Sequence, residues 1–253
     1  MFTWYWVFLF WIILYVHTRH VVHTVYVHRG ISHGLFKFSN RLSHVFRFIL
    51  WLTGFTWPNW MQHYAAQHRK HHKYSDTELD PHSPNQLTFT QMLDYKHNEP
   101  GRPYYISPDE VKFYAPEVAT PADWMQKNIY DKHQTKGKWI ILLIVLILFG
   151  FWGGLTILIL DYLTVRYIYI WSANYLLHGI GYTHIRDGQD RSVNVVPWGI
   201  LFGGEELHNN HHSNASLPYF HSRWWEYDIG WTYAKLFMFF GLMSMNQDKI
   251  IKN

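Results

Sequence analysis

No cysteine occurs in the 253-residue chain. A disulfide framework is therefore excluded, and so is a thiolate metal site of the zinc-ribbon or iron–sulfur kind. Any metal must be held by nitrogen or oxygen. Charged residues are sparse at 16%, and no long basic run or recognition module is present. The net charge of +4 and pI near 9.0 thus suit a membrane surface or an anionic substrate, and not nucleic acid. The mean hydropathy of −0.19 looks soluble, but it averages apolar runs with a very polar middle. The opening MFTWYW has neither the basic start nor the small-residue cleavage site of a signal peptide.

Aromatic residues and histidine are abundant. Aromatics reach 19%, with 14 Trp and 18 Tyr, residues that gather at membrane–water interfaces. Two stretches read HxxHH: His68, His71 and His72 in HRKHH, and His208, His211 and His212 in HNNHH. With 19 histidines in 253 residues, one such stretch arises by chance at odds of roughly one in ten, and two at well below about one in a hundred. Positions i, i+3 and i+4 share a helix face, so each stretch is expected to aim three imidazoles in roughly one direction. Three imidazoles on one face serve no packing purpose, and a metal explains them.

The apolar pattern predicts an all-α integral membrane protein forming a single domain over residues 1–253. Residues 1–27 read as a transmembrane helix, since the apolar stretch Phe2 to Val27 is roughly 37 Å long against a ~30 Å hydrocarbon core. HRGISH follows, with His28 and His33. Their five-residue spacing is about 140° on a regular helix, so Gly30 is expected to distort the backbone and let both rings turn inward. Residues 45–61, with Arg47 and Pro58, are expected to be re-entrant or interfacial, because boxes on both sides must share one side of the membrane. Residues 73–136 read as a polar cap. Residues 138–177 form an expected transmembrane hairpin turning at Gly150 to Gly154. It carries Asp161 and Arg166, which are costly in lipid unless paired or turned inward. The arm ends on Asn174 and His178, an i,i+4 pair. Residues 178–253 hold the third box and an amphipathic tail on the cytoplasmic side.

Nine imidazoles result: His28, His33, His68, His71, His72, His178, His208, His211 and His212. Nine exceeds what one ion takes and suits two. Iron fits this count better than zinc, which is satisfied by three or four ligands. Glu205 and Glu206 are at most supporting groups behind the ligands. The remaining histidines, among them His82, read as ordinary surface or satisfied residues. Lys70, Lys73 and Arg102 read as a solvated positive face.

HRGISH, HRKHH and HNNHH, in this order, resemble the three histidine boxes of membrane fatty acid desaturases of the acyl-CoA (stearoyl-CoA delta-9) type. NYLLHGIGY resembles that family's NxxxHxxGY element, and GGEELHNNHH and RWWEYDIGW resemble its bacterial branch. The resemblance covers nearly the whole chain. It implies two iron ions held by the nine histidines, with Asn174 reaching an iron through water. It also implies O2 as co-substrate and two electrons spent in removing two hydrogens from adjacent carbons of an acyl chain, with acyl-CoA the favoured form. With no haem or flavin domain in the sequence, electrons are expected from a separate ferredoxin, rubredoxin or cytochrome b5-type protein with its reductase. The expected setting is the bilayer of a bacterial cytoplasmic membrane, with the site facing the cytoplasm. Two departures stand out: a single apolar helix precedes the first box, and Gln67 stands where animal members carry Asp. A di-iron hydroxylase or alkane monooxygenase, and a histidine-rich metal transporter, remain as alternatives.

Overall fold

The computed structural model describes residues 4–54, 56, 59–93, 100, 101, 105–164, 167 and 175–249. The apolar N-terminus sets the longest helical run, residues 4–32. It comprises α1 (Trp4–Phe10), a π-helical stretch (Trp11–Thr18), α2 (Arg19–Val22) and a second π-helical stretch (His23–Ser32). A π turn closes i→i+5 bonds, and the His33 N–H donates to the His28 carbonyl at 3.2 Å. Residues five apart, which an α-helix would splay, therefore come onto one face. The two ring centroids lie 5.0 Å apart. Gly30 has a different reason from the one expected: a Cβ there would sit 2.5 Å from Phe38 Cε2 and 3.0 Å from the Val25 carbonyl. Its lack of a side chain lets the Phe38 ring lie against the helix.

Among the described residues, two of the packed regions follow from the chain's composition. In the first, α1 meets α7 (Lys136–Leu163), with Val7, Val145 and Ile157 buried together. α7 has the length and composition to cross a membrane, but its backbone breaks at Gly150, where φ is +65°. Leu146 then lies close enough to Gly154 that a Cβ there would meet Leu146 Cδ2 at 2.7 Å, so the chain doubles back into two antiparallel arms. The arm before Gly150 is about 21 Å long at 1.5 Å per residue. Arg166 and most of residues 165–174 lie outside the described residues.

The second region is the larger core. Val21, Val22, Val25 and Val27 pack there on α3 (Asn40–Leu52), on the start of α4 (Trp60–Tyr74) and on α9 (Ile229–Phe239). α3 starts at Ser39, whose Oγ accepts from the Leu42 N–H at 3.3 Å, an N-cap. Its Arg47 is buried and ion-paired with Asp123, with Gln126 Oε1 at 2.9 Å. α5 (Phe89–Leu93) and α6 (Pro108–Tyr114) belong to the polar middle, and α6 buries Val111 against Ala65 and Ala66 of α4. α8 (His208–Ser213) carries the last box.

The expectation of an all-α chain needs one amendment. The fold is mainly helical, but two small sheets stitch it together. β1 (Phe36–Phe38) pairs antiparallel with β4 (Met243–Met245), and β2 (Trp198–Gly199) pairs parallel with β3 (Tyr227–Asp228). They tie the C-terminal segment to the first and last boxes.

Candidate metal centre

Helix geometry divides each HxxHH stretch. On α4, position i+4 lies about 40° to one side of i and position i+3 about 60° to the other. His68 and His72 therefore face one group of rings, and His71 faces a second. α8 divides in the opposite sense, sending His211 to the first group and His208 and His212 to the second. The first cluster is His28, His33, His68, His72 and His211, and the second is His71, His178, His208 and His212. Within each, one ring nitrogen per residue lies within 4.8 Å of all the others. The expectation that each stretch aims all three rings one way is thus corrected: each HxxHH stretch serves both clusters, while His28 and His33 both enter the first. All nine sequence-predicted histidines are placed in them. Asn174 lies outside the described residues.

The spacing of the nitrogens is informative. In the first cluster, Nε2 to Nε2 distances are 2.9 Å for His28–His211, 2.9 Å for His33–His68, 3.0 Å for His68–His72 and 2.9 Å for His72–His211. Bonds of ~2.1 Å to one cation at right angles would hold neighbouring nitrogens roughly 3.0 Å apart. Hydrogen bonding cannot account for the whole set, since a neutral imidazole has one N–H. His28 uses its proton on Glu205 Oε1, 2.7 Å from Nδ1, which leaves Nε2 as a lone pair facing inward.

Carboxylates fix three rings of the second cluster in the same way. His71 Nδ1 is 2.9 Å from Asp80 Oδ2, His178 Nδ1 is 2.8 Å from Asp76 Oδ2, and His212 Nδ1 is 3.2 Å from Asp190 Oδ2. Nε2 of His71 and of His212 is buried with no hydrogen-bond partner, a costly state for a polar atom unless something else binds it. A carboxylate behind an imidazole sets its tautomer and raises its basicity toward a metal. Asp76 and Asp80 in the polar cap, and Asp190 in the loop before the third box, were missed in the sequence, where they look like turn residues. Of the Glu205–Glu206 pair, only Glu205 touches a boxed histidine. Glu206 caps its own loop, accepting from the N–H groups of Phe202 at 2.9 Å and Gly204 at 3.2 Å.

Burial dominates the electrostatics. It pushes the imidazoles of His33, His68, His71, His208, His211 and His212 well below their usual range, and His72 down to about 3, with neighbouring rings adding to the effect. These rings are neutral at pH 7 and present lone pairs. Burial opposes the charge on Glu205, but His28, Arg29 and Thr24 outweigh it and hold the carboxyl down to about 2. His82 is half-buried beside Asp80 and stacks on His71 with centroids 4.0 Å apart. Lys70 is no freely solvated charge either, since its Nζ is 2.7 Å from Glu110 Oε1.

The side chains between the histidines brace the site. Arg29, fully buried, pairs with Asp228 at 3.0 Å and lies 3.7 Å over the Phe220 ring. Phe220 in turn packs on His211 with centroids 4.4 Å apart. Asn209 accepts from the backbone N–H groups of His184 and Ile185 at 2.8 and 3.1 Å, and Asn210 donates to Phe220 O and Glu226 Oε2, both at 2.8 Å. The two asparagines of HNNHH thus hold the returning chain around the rings.

This donor set suits a pair of adjacent cations. The chain belongs to the fatty acid desaturase family, which matches residues 3–242. Homologues in this family are oxidoreductases that desaturate acyl chains, and the family is a di-iron one. The chain is 30% identical over 223 residues to the hex-5-enoyl acyl-carrier-protein acetylenase of Moorena producens, covering 82% of this chain and 67% of that one. It is 28% identical over 239 residues to the sn-1 stearoyl-lipid 9-desaturase of Synechocystis sp., with coverages of 91% and 68%. To an acyl-CoA 5-desaturase of Anemone leveillei it is 26% identical over 224 residues, covering 87% and 65%. The chain spans about two thirds of the length of each.

Proposed function

We propose that this chain is an O2-dependent fatty acyl desaturase that introduces a cis double bond with two iron ions. One ion would be held by His28, His33, His68, His72 and His211, the other by His71, His178, His208 and His212, with Asn174 completing the second through water. The observation that supports this reading is the division of nine imidazoles, most of them buried, into two adjoining groups whose ring nitrogens converge. When bound and reduced, the irons supply O2 activation strong enough to break unactivated C–H bonds, which no side-chain acid or base can do. The chain's own residues orient and enclose. Asp76, Asp80, Asp190 and Glu205 each hold an Nδ1 proton and so turn Nε2 inward. Phe220, held by Arg29, walls the first cluster with an apolar face and keeps water off it.

The substrate is an acyl chain. The three relatives' names cover carrier-protein, lipid and CoA forms, and we take acyl-CoA as the first carrier to test, with the other two as parallel arms. The setting is a bilayer, entered by the N-terminal run and the α7 hairpin. In support, Trp139, Ile147 and Trp152 stand 66%, 73% and 70% exposed on that hairpin, an apolar surface that water would not favour. Arg69, Lys70 and Lys73 beside the second box suit the cytoplasmic side, where basic residues concentrate. A ferredoxin, rubredoxin or cytochrome b5-type carrier with its reductase would deliver the electrons.

The test is iron per chain in detergent-purified protein, together with gas chromatography of products formed with O2, a reductase system and the three acyl carriers. Two irons and an alkene are expected. Zinc in place of iron, or an alcohol in place of the alkene, would overturn the reading.

A further inference from the structure

Desaturation by O2 carries a balance that the acyl chain alone does not close. R–CH2–CH2–R′ + O2 + 2 e− + 2 H+ yields R–CH=CH–R′ + 2 H2O. O2 takes up four electrons, two from the paired C–H bonds and two from a separate one-electron carrier. Two protons must therefore reach the site, and two waters must leave it, for every double bond. An apolar acyl path offers no hydrogen-bonding partners to either, so a polar route is required.

A cavity of about 250 Å³ opens between the C-terminal end of α4 and the loop over residues 185–190. Its lining includes His72 and His212, one from each cluster, Ser75 and Asp190 against His212, and Gln189 and Ile185 on the exposed side. Ser75 is buried, whereas Gln189 and Ile185 are exposed, so the lining runs from the surface to the rings. Ser75 Oγ donates to Asp190 Oδ1 at 3.0 Å and lies 3.5 Å from His212 Nδ1, which also contacts Asp190 Oδ2 at 3.2 Å. The volume exceeds several times the ~30 Å³ share of one water, and the lining offers the polar partners that ordered water needs.

We propose that this cavity is the polar passage by which protons and product water move between solvent and the paired clusters, separate from the acyl path. Its chemistry rests on the di-iron reading above, while its geometry does not. In this passage a solvent-connected polar lining meets a ring of each cluster at once.

The absence of cysteine permits a test without background. Ser75→Cys places a thiol in the passage, and Ala66→Cys places one in the small core under α6. The probe is the charged, water-soluble reagent sulfonatoethyl methanethiosulfonate on the full chain in detergent. The S75C thiol is expected to react and the A66C thiol to stay protected. Adding Gln189→Trp or Ile185→Trp at the mouth should slow the S75C reaction by about tenfold or more, since thiol reactivity follows access. No reaction at S75C, or the same rate with and without either tryptophan, would overturn the passage. This readout needs no iron, so a failure of the metal reading shows separately, as zero iron with thiol access intact. In iron-loaded enzyme, Gln189→Trp should lower kcat with iron content and acyl KM unchanged. An unchanged kcat alongside slowed thiol access would overturn the assignment of proton and water traffic to this route.

Discussion

The two histidine clusters are built on different principles. In the second, three of four rings (His71, His178, His212) have a carboxylate on Nδ1. In the first, one of five does, His28 through Glu205. The first is held mainly by packing: a π-helical turn aligns His28 with His33, Tyr64 stacks on His68 with centroids 6.1 Å apart, and Phe220 lies against His211. An ion in the carboxylate-backed cluster should be held by ligand basicity, and one in the other by ligand number and shape. Substitutions that remove charge and substitutions that disturb packing should therefore fall on different ions.

The largest effect expected is from removing a ligand. His208→Ala should drop iron from two per chain toward one and reduce product formation to background, read by metal analysis and product chromatography. Next come the carboxylates. Asp80→Asn and Asp76→Asn keep shape but weaken the hold on His71 and His178, and should cost about 10–100-fold in affinity for one ion. Glu205→Gln should cost as much at the other, as read by competition with a chelator.

Stability changes follow. Arg29→Ala strands Asp228 in a fully buried site, and breaking a buried pair costs about 3–5 kcal/mol. Urea denaturation of the metal-free protein measures it. Gly30→Ala forces the Phe38 ring to move and should cost about 1–3 kcal/mol, weakening iron binding at the first cluster and sparing the second.

The effect of pH is smallest near neutrality and grows as the pH falls. His72 stays neutral in the fold down to about 3, while an unfolded histidine titrates near ~6.5. Below ~6.5 the unfolded chain binds more protons, so the metal-free protein loses stability as pH falls through that value, and the loss continues toward 3. Denaturation midpoints should fall steadily across this range. A flat profile would show that the apo rings are not buried as described.

The gathering of the histidines was legible in the sequence because spacing alone marks HxxHH, and because the two copies reinforce each other. Their division was not. His71 and His72 are adjacent in the chain yet about 100° apart on the helix, and only the opposing α8 decides which cluster each enters. His28 and His33 read as incompatible under α-helical geometry, and a π turn has no compositional signature. Asp76 and Asp80 were hidden in a segment whose acids look solvated. One signal could have found them: a metal-binding imidazole commonly donates its second nitrogen to a carboxylate, and SDTELDPH is separated from the second box by two residues. The strands were invisible because two or three residues carry no period. Gly150 was legible as a turn, since glycine readily adopts the positive φ that the reversal requires.

The central claim is that neighbours in one box serve different ions. Mössbauer spectra of 57Fe-loaded protein test it most directly, comparing the unaltered chain with His71→Ala and His72→Ala. Two iron signals are predicted, with His71→Ala losing one and His72→Ala the other. Loss of the same signal in both variants would contradict the account.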